Sequence, residues 1–200
     1  MALKAYSAFL PEVLPRAPAT PDVVAINAVR NAAIEFCERS LVWVEQQDPA
    51  DVTASSFPLD LSAPTGARVG VVLSAKVDGT VVPAKGMSDI DDTYRAWEGV
   101  QGAPFAYYQP TPDTLQLVLL PETTVALALR VAYVPTRAST GVETFIYENY
   151  LEGIAAGALY RLTGEAPYLA AFESSVRKAA VDAQKSFTIA ALRVDLSGAR

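Results

Sequence analysis

The sequence contains no histidine and a single cysteine, Cys37, among its 200 residues. Without an imidazole, Ser–His and Cys–His nucleophilic pairs and histidine-based metal sites are excluded. One thiol cannot close an internal disulfide, and Cys37 lies in a helical apolar run where it reads as a small buried hydrophobe. No apolar run approaches the roughly 18 residues that span a bilayer, and no basic stretch followed by an apolar core marks the N-terminus. These absences point to a soluble product of a reducing compartment. Charge is also sparse. At 19% charged residues the chain leaves apolar surface for neighbours to cover, which favours self-assembly. Cations are the minority: a net charge of −6 argues against a surface that grips nucleic acid through clustered Lys and Arg, although DNA could pass nearby unheld.

Motif-level absences narrow the chemistry further. Gly66, Gly70, Gly79, Gly86, Gly99 and Gly102 never assemble into a phosphate-binding loop followed by Lys-Ser or Lys-Thr. Asp89, Asp91 and Asp92 have the look of a cation loop, yet Tyr94 and Val100 occupy the places where an EF-hand needs glycine and glutamate. The expectation is a solvated acidic turn, no metal, no cofactor and no enzyme. No internal repeat or low-complexity tract is present.

What the chain does have is 51% hydrophobic residues, enough for a real core. The stretch from Tyr147 to Phe187 dominates. Tyr147, Leu151, Ile154, Ala158 and Leu162 recur at helical spacing, as do Leu169, Phe172, Val176, Ala180, Ala183 and Phe187 after a break at Thr163–Pro167. Gly164 suits a helix end and Pro167 a helix start, so the spacing predicts a helical hairpin. Small residues crowd its first helix at Gly153, Ala155, Ala156, Gly157 and Ala158. Two internal glycines cost about 1 kcal/mol each relative to alanine, which implies close backbone packing, either within the chain or against another subunit.

Upstream, Pro11, Pro15 and Pro18 predict an extended N-terminal arm over residues 1–20, anchored by aromatic residues. Thr20-Pro21-Asp22 supplies a cap hydroxyl, a first-turn proline and an acid for a helix from about Pro21 to Leu41. From residue 46 to residue 135 the pattern is that of strands, with an Asp78-Gly79 hairpin turn and β segments near 104–109, 115–120 and 125–134. Helix, strands, then two helices segregate the classes, so the expected fold is α+β: a helical bundle with an inserted antiparallel β-sheet or sandwich. The expected division is one domain with an arm (1–20), a helix (21–45), a β-rich lobe (46–135), a hairpin (142–192) and a C-terminal tail (193–200). Residues 45–152 hold six basic and fourteen acidic side chains, whereas residues 161–200 hold six basic and four acidic. Acids on the β lobe could repel a DNA backbone and let it slide, or could be ordinary solvated groups.

Phe9-Leu10-Pro11-Glu12-Val13, Ala32-Ala33-Ile34-Glu35-Phe36-Cys37, the passage from Tyr108-Gln109-Pro110 to Leu115-Gln116-Leu117, and Tyr150-Leu151-Glu152-Gly153-Ile154-Ala155-Ala156-Gly157-Ala158-Leu159 together resemble tailed-phage head-to-tail adaptor (connector) proteins, relatives of tail tubular protein A. The resemblance in arrangement covers most of the chain and carries no catalytic residue. It departs after the helical glycine, where Glu165-Ala166-Pro167-Tyr168 stands in place of the Lys-Pro-Trp of many such adaptors. The resemblance implies a structural virion protein at the head–tail junction, made in the host bacterial cytoplasm. Its implied assembly is a homo-oligomeric ring, commonly dodecameric, beneath the portal. A tail tube, nozzle or other tail protein would dock on it, and genomic DNA would pass through the lumen without sequence-specific binding and without any membrane partner. Interface candidates are Gly153, Gly157, Leu192, Arg193, Val194, Leu196 and Arg200, the last five on a tail that lies in a neighbour's groove or simply frays. The alternative is a small β-rich ligand-binding module with Trp97, Tyr107 and Tyr108 as its platform.

Overall fold

A computed structural model describes residues 3–94 and 97–197, with side chains described as far as residue 184. The chain runs β1 (Leu3–Ala5), α1 (Leu10–Val13), α2 (Asp22–Ser40), β2 (Val44–Gln46), β3 (Ala50–Val52), β4 (Leu59–Asp60), β5 (Ala67–Val77), β6 (Thr80–Val82), α3 (Met87–Thr93), β7 (Ala106–Tyr108), β8 (Thr114–Val118), β9 (Val125–Pro135), β10 (Gly141–Glu143), α4 (Thr144–Thr163) and α5 (Ala166–Ser197). This is the expected α+β composition, with its sheets built from antiparallel pairs. The chain divides into two compact units. One gathers the chain through Trp43, the short Thr65–Ala67 stretch and the chain from Val134 onward; the other comprises Val44–Pro64 and Arg68–Tyr133.

In the first unit α2, α4 and α5 pack on one another. Phe36 on α2 meets Tyr150 on α4 (5.3 Å between centroids) and Phe172 on α5 (6.1 Å), so one fully buried ring touches both partner helices. Gly164 ends α4 at φ 74°, in the left-handed conformation that its missing side chain permits. Pro167 occupies the second position of α5, where no N–H is needed. That helix continues to Ser197, beyond the Leu192 at which the sequence pattern stops.

Two expectations are corrected at the N-terminus. The first 20 residues are not an extended arm: Tyr6–Phe9 and Leu14–Arg16 are 3-10 turns flanking α1. Pro11 and Pro15 fall in first turns, where they are tolerated, and burial of Tyr6, Phe9 and Val13 ties the segment into its own unit. Phe9 packs edge-on against Tyr147 at 5.0 Å. The Tyr6 hydroxyl donates to Ser139 Oγ (2.6 Å), which in turn donates to the Thr136 carbonyl (2.7 Å). Nor does Thr20 cap α2. The N-cap is Pro21, without a side-chain bond, and its carbonyl accepts from the N–H groups of Val24 and Ala25.

The second unit holds two sheets. One runs β2-β9-β5-β6 with β3 also on β9, and the other runs β4-β8-β7. β9 is central to the larger sheet, which explains its sequence: alternating burial up to Arg130 gives way to continuous burial from Val131. The Asp78-Gly79 turn joins β5 to β6 with φ of 48° and 80°, the positive pair that a two-residue hairpin turn demands. The stretch around Asp89–Asp92, expected as a solvated acidic turn, is instead the helix α3, over a small core of Ile90, Trp97, Ala106 and Val118.

Candidate interaction surfaces

Gly153 and Gly157 set how closely the first unit's helices approach. A Cβ on Gly157 would lie 2.5 Å from Phe172 Cδ2 and 3.1 Å from the Ala32 Cβ; one on Gly153 would lie 2.4 Å from the Ser175 Cβ. Both glycines are therefore occupied by their own chain's α5 and α2, and the contact they enable is intramolecular.

Above this notch sits an ionic clasp that the sequence reading missed. Arg39 on α2 donates from both terminal nitrogens to the Glu173 carboxylate on α5, each at 2.6 Å, and also to Glu35 at 3.1 Å. Arg161 on α4 bonds the other Glu35 oxygen and donates to the Gly157 carbonyl at 3.0 Å. Both guanidinium groups lie about 6 Å from the Phe172 ring centroid, at 6.0 and 5.9 Å. Hydrogen bonding to Arg39 holds the Glu173 carboxyl below the usual glutamate range, and Glu173 and Glu35 raise the Arg39 guanidinium further. Exposed, solvent-screened pairs of this kind contribute little beside the burial of a phenylalanine ring. Phe172 therefore supplies most of the attachment, and the clasp fixes its register. The i,i+4 pair Glu35/Arg39 was the one signal of it in the sequence.

Leu192, Arg193, Val194 and Leu196 lie on the backbone of α5, but their side chains lie outside the described residues, as does Arg200 altogether. A groove of about 550 Å³ runs between α4 and α5 within the first unit, with Glu148, Glu152, Ser174 and Lys178 on its walls.

In the second unit Trp97 and Tyr107 are not a platform, which corrects the basis of the ligand-binding alternative. Both are buried; Tyr107 donates to the Val72 carbonyl at 3.1 Å, and Trp97 packs edge-on against Tyr108 at 5.4 Å. Alternation along β7 sends Tyr107 and Tyr108 to opposite faces, Tyr107 toward Val72 and Tyr108 onto the Ile90–Trp97 core. Asp91 accepts from the Trp97 indole N–H at 2.9 Å, while Asp89 and Asp92 face solvent on α3. Among the described residues no group of three His, Cys, Asp or Glu side chains is placed to hold a metal ion. Cys37 is fully buried, and desolvation pushes its thiol well above the ordinary range. Among the described residues no helix is long and apolar enough to cross a membrane.

A family model described as SU10 adaptor protein matches residues 4–197. No curated protein matches the chain.

Proposed function

We infer the function from a premise that the chain itself supplies: it belongs to the SU10 adaptor protein family, whose model spans nearly its whole length. It is a phage head-to-tail adaptor, a constituent of the virion. In our reading, copies of the chain form a closed ring, dodecameric by the adaptor pattern, seated beneath the portal. The ring presents its far side to a tail tube, nozzle or other tail protein, and genomic DNA passes through its lumen. No catalysis is assigned to it.

The family match over residues 4–197 carries this reading. Two features support it. The second unit holds eleven acidic and five basic residues, a balance that repels a phosphate backbone and lets it slide. The first unit's helices are locked by a glycine notch and an ionic clasp, as suits an element that must bear load between neighbours. The test is electron microscopy of the full chain mixed with the portal of the same phage. The expected result is a symmetric ring on the portal's tail-facing side. A chain that stays monomeric and leaves the portal bare overturns the reading.

A further inference from the structure

Two uncovered helix faces in this chain carry opposite charge. Among the described side chains of α5 the acids turn toward their own unit: Glu173 is held by Arg39, and Asp182 hydrogen-bonds Tyr150. The outward stripe is left with Arg177, Lys178 and Val181, all exposed, and Val181 is 47% exposed despite being apolar. On α3 the arrangement is the mirror image in charge. Asp91 is drawn to the Trp97 indole, whereas Asp89 and Asp92 share one outward face at i,i+3 spacing.

We propose that these faces meet between copies: the α3 face of one chain docks on the α5 stripe of the next, with the carboxylates of Asp89 and Asp92 against Arg177 and Lys178. The proposal rests on the ring reading above and names its subunit contact. Charge complementarity selects the occupant. α5 repels a second α5, α3 repels a second α3, and only the head-to-tail pairing of unlike faces satisfies both. A heterologous contact of that kind closes into a ring when its rotation permits. Because the charges are exposed, the contact weakens as salt shortens the screening length from about 10 Å at 0.1 M to about 3 Å at 1 M.

The experiment uses the full chain with its portal at low salt, read by mass photometry and sedimentation. Asp92→Lys places like charges opposite Lys178, and Lys178→Glu places them opposite Asp92; each alone is expected to reduce ring-sized species by about tenfold or more. The double variant restores assembly. So does an equimolar mixture of the two single variants, since every contact in an alternating ring then pairs unlike charges. Melting temperatures should stay at the wild-type value, because all these groups are exposed. Single variants that assemble like wild type overturn the contact and leave the ring reading standing, as does a mixture that fails to assemble although both chains are folded. Variants that still form rings but release the portal assign the stripe to the portal and also overturn the contact. A wild-type chain that never assembles overturns both.

Discussion

At Gly157 two effects of adding one methyl group oppose each other. Alanine is favoured over glycine in a helix by about 1 kcal/mol, yet the new Cβ would press on the Phe172 ring carbons at 2.5 and 2.8 Å with the Ala32 methyl behind it. The ring is fully enclosed and cannot swing away, so overpacking of about 1–3 kcal/mol wins, and Gly157→Ala should lower the melting temperature. In a Phe172→Ala background the same substitution should become neutral or stabilising; if it destabilises equally there, the notch is not what glycine serves. Glu173 offers a second residue-scale expectation, in pH. Its carboxyl is depressed in the folded state, chiefly by hydrogen bonding to Arg39, so its stabilising contribution is present above the ordinary glutamate value of 4.5 and is lost as pH falls through the lower folded value. Thermal unfolding followed from neutral pH down to about pH 3 should therefore show a shallower acid limb for Glu173→Gln than for wild type. Identical limbs would show that the clasp adds nothing in solution.

Elements whose ends are set by local chemistry were legible from the sequence. Gly164 marked the end of α4, and Asp78-Gly79 marked the β5–β6 turn. α2 ends a residue before the Leu41 of the apolar pattern and short of residue 45, the expected bound of the helix segment, where β2 already runs; Leu41 closes it at φ 51° without the glycine that normally signals such a stop. The N-terminal segment misled because prolines were read as breakers, and only burial of Tyr6, Phe9 and Val13 turns their fixed φ into helical turns. Inside α4, Tyr150 leaves helical geometry at φ −132°, a kink with no proline or glycine at that position to announce it. The Arg39–Glu173 and Glu35–Arg161 bonds join residues 134 and 126 positions apart, so no spacing rule could have found them. The hairpin gives an element-scale prediction. Asp78 both donates its N–H to the Ala126 carbonyl and accepts from the Ala126 N–H through Oδ1, each at 2.8 Å, stapling the turn to β9. Asp78→Ala removes a charge-assisted acceptor and a residue tolerant of positive φ, and should cost about 1–2 kcal/mol, with Asp78→Asn costing clearly less. Equal losses for the two, measured by urea unfolding, would show that the side-chain acceptor is irrelevant.

For the whole molecule the open question is what the far end of α5 is for, since the described burial of that helix ends with Ala179 and its outward side is already exposed at Val181. An independent core does not need the last six residues, 195–200: Ser197 and Gly198 have nothing apolar to bury, and Leu196 is the one strongly hydrophobic side chain among them. Removing 195–200 should therefore leave the melting temperature of the chain unchanged. Attachment to the portal is a different matter, because a ring engages it through many identical copies at once. If each copy loses even about 1 kcal/mol, the losses act together and avidity collapses, so the truncated chain should fail to co-sediment with the portal while remaining folded. Unchanged co-sedimentation would remove the C-terminal end from the portal contact and throw the weight of attachment onto the helical unit. A lowered melting temperature would instead place those residues in the chain's own core, and the clasp and glycine notch would then be only the first part of a longer seam holding α5 down.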